Sequence, residues 1–71
     1  MVNVNKLKGA IVEHEKTVEA LAKEIGIDRV TLYRKLKGES DFTIGEADAI
    51  VKSLSLSAED AKAIFFAQFV A

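Results

Sequence analysis

The sequence predicts an all-α fold of five short helices, and three observations predict it. Proline is absent and glycine occurs only four times, so little in the chain interrupts helical segments. Apolar residues recur at three- and four-residue intervals in successive segments, the period of helices packed on one side. Between those segments stand residues that start or stop helices, with Thr17, Asp28, Thr43 and Ser57 ahead of them and Gly26 and Gly38 behind.

The first helix is expected from Asn3 or Asn5, either of which can cap it, to about Lys16. Val4, Leu7, Ile11 and His14 then face inward, while Lys6, Glu13 and Lys16 face water. Gly9 weakens this helix by up to ~1 kcal/mol relative to alanine. Thr17 is the expected N-cap of the second helix, Val18 to Ile25, which presents Leu21, Ala22 and Ile25 on one face. Gly26 stands where that helix must stop, because glycine enters the left-handed conformation without a Cβ penalty. Asp28 can cap the third helix through its side-chain oxygen.

From Arg29 to Lys37 the inward signal narrows to Leu32 and Leu36. Opposite them, Val30, Tyr33, Arg34 and Lys37 follow i, i+3, i+4, i+7 spacing and form a stripe with no place in a core. A turn-rich loop follows Lys37. Thr43 and Glu46 then match an S/T-x-x-E capping box, with Phe42 placed to staple onto Ala47. The fourth helix, Ile44 to Ser53, should turn Ile44, Ala47, Ile50, Val51 and Leu54 inward. Ser57 to Asp60 repeats the start signal for a last helix from about Ala58 towards the C-terminus. That helix carries two apolar stripes, one through Ala61, Ile64, Phe65 and Phe69 and a second through Ala63, Phe66, Ala67 and Val70. A domain this small closes its core with one. The surplus suggests a homodimer contact through Phe65, Phe66, Phe69 and Val70.

At 71 residues the expectation is one domain over 1–71, burying only roughly 60% of its unfolded surface. With no cysteine, neither disulfides nor a thiolate metal site can contribute. His14 is the only histidine, so a partly buried structural imidazole is expected rather than a ligand. The N-terminal stretch MVNVNKLKGAIV has no long apolar run, and nothing approaches the ~20 apolar residues of a membrane span. A soluble cytoplasmic protein with no membrane partner is expected. Catalysis needs a nucleophile beside a base, paired carboxylates in a cleft, or metal ligands. The carboxylates here lie along helix surfaces, so no catalytic residue, metal, cofactor or small-molecule substrate is expected.

Net charge is −1, yet Arg29, Arg34, Lys35 and Lys37 stand between Arg29 and Gly38 without an acid among them. Glu39, Asp41, Glu46, Asp48, Glu59 and Asp60 follow, offset only by Lys52 and Lys62. One basic element on an acidic body orients a protein on a polyanion and keeps its other faces off it. Together with the tight Gly26 turn, this makes residues 17–37 fit a helix-turn-helix reader of DNA.

In its LAKEIGIDRVTLYRKLKG segment, Leu21 to Gly38, and in its helix count, the chain resembles the small Cro and repressor DNA-binding domains of bacteriophages, within the wider Xre-like group. Val30 to Leu36 is also similar to the recognition helix of resolvase-type domains. Val18 departs from the glutamine that many relatives carry there to grip the DNA backbone. The resemblance implies a compact lambda-repressor-like fold and a dimer on a double-stranded DNA operator, with recognition helices roughly 34 Å apart. It implies base reading by Arg29, Val30, Thr31 and Arg34. Either arginine suits guanine O6 and N7, and Val30 a thymine methyl. Backbone contacts are expected from Thr17, Tyr33, Lys35, Lys37, Ser40 and Thr43, with N–H groups from Ser40 to Ile44 holding a further phosphate. Without the separate C-terminal domain that larger phage repressors carry, the expected place of these 71 residues is nearer the short Cro-like regulators. Two other readings remain open at this point. One is a protein-interaction module, an antitoxin or antirepressor, working through the aromatic last helix (about 58–70). The other is a recombination accessory factor that bends DNA.

Overall fold

Side-chain oxygens start four of the five helices. In a computed structural model of the protein, which describes residues 2–66, the elements are α1 (Val4–Glu13), α2 (Val18–Ile25), α3 (Arg29–Leu36), α4 (Ile44–Ser53) and α5 (Ala58–Phe65). Asn3 Oδ1 accepts from the Lys6 N–H, Thr17 Oγ1 from Ala20, Thr43 Oγ1 from Glu46 and Ser57 Oγ from Asp60, each at 3.1 Å. At α4 the bond is returned, the Thr43 N–H donating to Glu46 Oε1 at 2.9 Å, which completes the capping box. The expectation for Asp28 is corrected. Its backbone is extended as an N-cap should be, but its carboxylate makes no capping hydrogen bond.

Four helix ends close in the same way, with two backbone N–H groups folding back on the last turn. After α2 the Gly26 N–H donates to Lys23 O at 3.3 Å and Ile27 to Ala22 O at 3.0 Å. After α3 Gly38 donates to Lys35 O at 3.1 Å and Glu39 to Arg34 O at 3.0 Å. Both glycines take positive φ, +79° and +82°. After α1 and α4 the same left-handed position is held by Glu15 (φ +56°) and Ser55 (φ +51°), where a Cβ costs about 1–2 kcal/mol. The closure at Glu15 stops α1 at Glu13, short of the expected Lys16, because Lys16 bonds back to Ile11 O at 3.0 Å.

The core gathers Leu7 and Ile11 from α1, Leu21 and Ala22 from α2, Leu32 and Leu36 from α3, Ala47 and Ile50 from α4 with Leu54 after it, and Ile64 and Phe65 from α5. α2 packs on α3 and α4, and α1 packs on α5. The Asn3 N–H donates to Ile64 O at 2.7 Å, fastening the start of α1 to α5. Glu24 joins three segments, pairing with Lys16 Nζ at 2.6 Å and accepting from the Ser53 hydroxyl. The expectation that Ile44 turns inward is corrected: it is 85% exposed. Ile44 lies on the same side of α4 as Ala47 but one turn earlier, at the rim of a shallow groove shared with Phe42, Phe65 and Phe66, short of the buried core. Among the described residues no helix is long and apolar enough to cross a membrane.

Candidate nucleic-acid interface

α2, the Gly26 turn and α3 form one rigid corner. Ile27 follows Gly26 and lies partly buried against the core. The corner is fixed from within by Leu21, Ala22, Leu32 and Leu36, so the opposite side of α3 is turned out. Arg29, Arg34 and Lys37 are exposed there, with Val30 48% and Tyr33 41% exposed and Thr31 half-buried. Among the described residues none of Arg29, Arg34 and Lys37 forms an ion pair. A valine among exposed cations is a face that a groove lined with phosphates and methyl groups accepts.

Thr17 is exposed at the start of α2. Its oxygen accepts the Ala20 N–H, which leaves the hydroxyl hydrogen free to donate. Ser40 and Thr43 are exposed in and after the loop that follows α3. The Thr43 N–H is engaged by Glu46, so it leaves the set of backbone donors expected between Ser40 and Ile44.

Lys35 requires a correction. It is only 8% exposed, and its Nζ donates to Asp41 O at 2.8 Å and to Glu46 Oε1 at 2.7 Å. The ammonium also lies 5.8 Å from the centroid of the Phe42 ring, which stands edge-on to Phe65 with centroids 6.1 Å apart. Lys35 therefore builds the loop between α3 and α4 instead of reaching a phosphate. Burial alone pushes the Glu46 carboxyl up. The hydrogen bonds from Lys35 and Thr43 and the Lys35 charge outweigh it and hold that carboxyl below its ordinary range. The sequence held one hint: Lys35 sits three residues after Leu32 and one before Leu36, on the flank of the buried stripe.

Sequence reasoning also missed the bond between Tyr33 and Glu19. The phenol donates to Glu19 Oε2 at 3.1 Å, joining the middle of α3 to the first turn of α2. The Glu19 carboxyl is held below its ordinary range, first by its own backbone N–H, then by the Tyr33 hydroxyl, with Arg29 adding its charge. The Tyr33 hydroxyl is correspondingly pushed up. While that bond stands Tyr33 offers no proton to a phosphate, so its expected backbone role reduces to packing. No sequence period links residues 14 apart on different helices.

The homodimer residues divide. Phe65 is 5% exposed in the core and cannot meet a partner, whereas Phe66 is 45% exposed. Phe69 and Val70 lie outside the described residues. His14 is half-buried, its Nδ1 2.8 Å from Ala10 O. Among the described residues no three His, Asp or Glu side chains are grouped to hold a metal ion.

Five helices with a glycine-turned corner and an outward basic face define a helix-turn-helix DNA-binding protein. The family model of the Cro/C1-type HTH DNA-binding domain matches residues 6–61, and the chain belongs to that family. The match runs from α1 into α5 and takes in every residue of the exposed α3 face. No curated protein and no solved structure matched the chain.

Proposed function

We propose that this protein is a sequence-specific regulator of transcription, of the phage or prophage Cro-like repressor kind, that lays α3 in the major groove of an operator. The observation that carries the reading is the outer face of α3, where Arg29, Arg34 and Lys37 are exposed around Val30 and no ion pair neutralises them among the described residues. Arg29, Val30, Thr31 and Arg34 read base edges in this account. Lys37, Thr17, Ser40 and Thr43 hold phosphates, Thr17 and Thr43 through hydroxyl hydrogens that their capping bonds leave free. Residues 1–71 act as one DNA-binding unit, in the cytoplasm of a bacterial cell or phage-infected host, with no cofactor in the scheme.

The operator is bound as a homodimer, so that two α3 helices meet successive turns of the groove roughly 34 Å apart. Phe66 and Ile44, which line one shallow groove and are 45% and 85% exposed, supply apolar surface for the contact, with Phe69 and Val70 as its expected continuation. The same exposed surface favours the second reading, a protein-interaction module of antitoxin or antirepressor type. The test is fluorescence anisotropy on duplex DNA from the promoter region beside the protein's own gene, with random duplex as control, over a salt series. A salt-sensitive affinity at least ~10³-fold above random duplex is expected. Loss of all affinity at low salt, with capture of a different protein through Phe66, turns the reading to the interaction module.

A further inference from the structure

Among the described residues Glu19 is an acid whose carboxylate bonds to the exposed face of α3. It occupies the first turn of α2, the helix that crosses the DNA backbone when α3 enters the groove. Its carboxylate does not swing freely. Oε2 takes the Tyr33 hydroxyl hydrogen at 3.1 Å, and among the described residues Oε1 has no side-chain donor. Arg29, on the same face, lies near enough for its charge to act on Glu19. The arrangement therefore presents an anion oriented by its own backbone N–H and by the Tyr33 hydroxyl, beside the cations that attract DNA. Such a group opposes any phosphate or base acceptor brought against it, and it accepts a hydrogen from an amino group such as cytosine N4. As the acid in the first turn of α2, Glu19 also meets the helix dipole, a role that does not call for its bond to Tyr33 on α3.

We propose that Glu19, oriented by Tyr33, is a specificity-determining residue that weakens binding to every duplex not presenting an amino donor opposite its carboxylate. Arg29 and Arg34 attract; Glu19 rejects. Discrimination then comes from a repulsive element as well as from attractive contacts. The inference rests on the DNA-reading role proposed above.

The test begins by selecting bound sequences from a random duplex pool with the wild-type protein. Anisotropy then gives dissociation constants on the selected and a scrambled duplex for wild type, Glu19→Gln and Tyr33→Phe. Glutamine keeps the size of Glu19 and an oxygen for Tyr33 while removing the charge, and thermal melts confirm that each variant is folded. Glu19→Gln should bind the scrambled duplex several-fold tighter, with the ratio of selected to scrambled affinity falling about tenfold. Tyr33→Phe should leave scrambled binding unchanged and lower the ratio less, since the charge remains but is no longer held. A selected-to-scrambled ratio for Glu19→Gln within about twofold of wild type overturns the role of Glu19 while leaving the DNA reading intact. A folded wild-type protein that enriches no sequence and binds neither duplex overturns the DNA reading, and this inference with it.

Discussion

α3 and α5 are both eight residues long, and they start in opposite ways. α5 opens with Ser57 bonded to Asp60 N–H, and Glu59 and Asp60 fill its first turn, so its N-terminal dipole is met by side chains of the right sign. α3 opens with Asp28 making no capping bond and Arg29 as its first residue, a cation at the positive end of the helix. Inside, α5 buries Ile64 and Phe65, whereas α3 buries Leu32 and Leu36 with the charged Lys35 between them. α5 is composed for the fold. α3 gives up local helix stability at its start and shows Arg29, Val30, Tyr33 and Arg34 outward. Such a breach of local rules is expected where a surface has another use.

The largest expected effect belongs to α5. Ile64→Ala removes a side chain 1% exposed and should cost about 2–5 kcal/mol in urea denaturation. The molecules that remain folded should keep their preference among DNA duplexes. Next comes the inward charge of α3. Lys35→Ala leaves Glu46 without its main partner and should cost about 3 kcal/mol, read by the same titration. This pair also gives a pH signature. The Glu46 carboxyl is depressed in the folded state, so its contribution is fully present above the ordinary glutamate value of 4.5 and is lost as pH falls through the lower folded value. Lys35→Ala should therefore flatten the acid limb of the stability curve.

The sharpest contrast comes from Arg29→Glu. An acid at the first position of α3 meets the helix dipole but loses the attraction between Arg29 and Glu19, so stability should change by less than about 1 kcal/mol, while binding to a selected duplex should fall at least tenfold. A binding loss at nearly unchanged stability is the opposite of what Ile64→Ala gives. Last and smallest, Ser55→Gly should raise stability by about 1 kcal/mol and Gly26→Ala should lower it by a similar amount. Both hold the same left-handed position after their helices, and open space surrounds the site of a Cβ at Gly26. Thermal melts of the two variants check the pair.

Features written in local signals were legible in the sequence. Thr17, Thr43 and Ser57 cap the helices they precede, the capping box at Thr43 and Glu46 forms, and Gly26 turns the corner. Leu21, Leu32, Leu36 and Ile50 enter the core as their spacing requires. The misreadings have local and tertiary causes. Glu15 enters a conformation usually reserved for glycine, so nothing in its type marked the end of α1. Ile44 matched an inward period but sits on the first turn, at the rim of a groove beyond the edge of the core. Lys35 met Glu46 across a loop, and Tyr33 met Glu19 across a helix corner. Periodicity registers which side of a helix a residue occupies, not what another helix brings to it. The two stripes of α5 set Phe65 apart from Phe66, but the dimer assignment took in both, and Phe65 packs in the core.

The measurement that tests the central claim most directly is a titration of the ¹⁵N-labelled protein with a selected duplex, followed by amide chemical shifts. The account predicts large shifts over Thr17–Glu19, Arg29–Lys37 and the loop to Thr43, with only small ones across the inner turns of α5. Shifts centred on Phe66 and Ile44 that leave α3 unmoved, or no shifts at all at low salt, would contradict it.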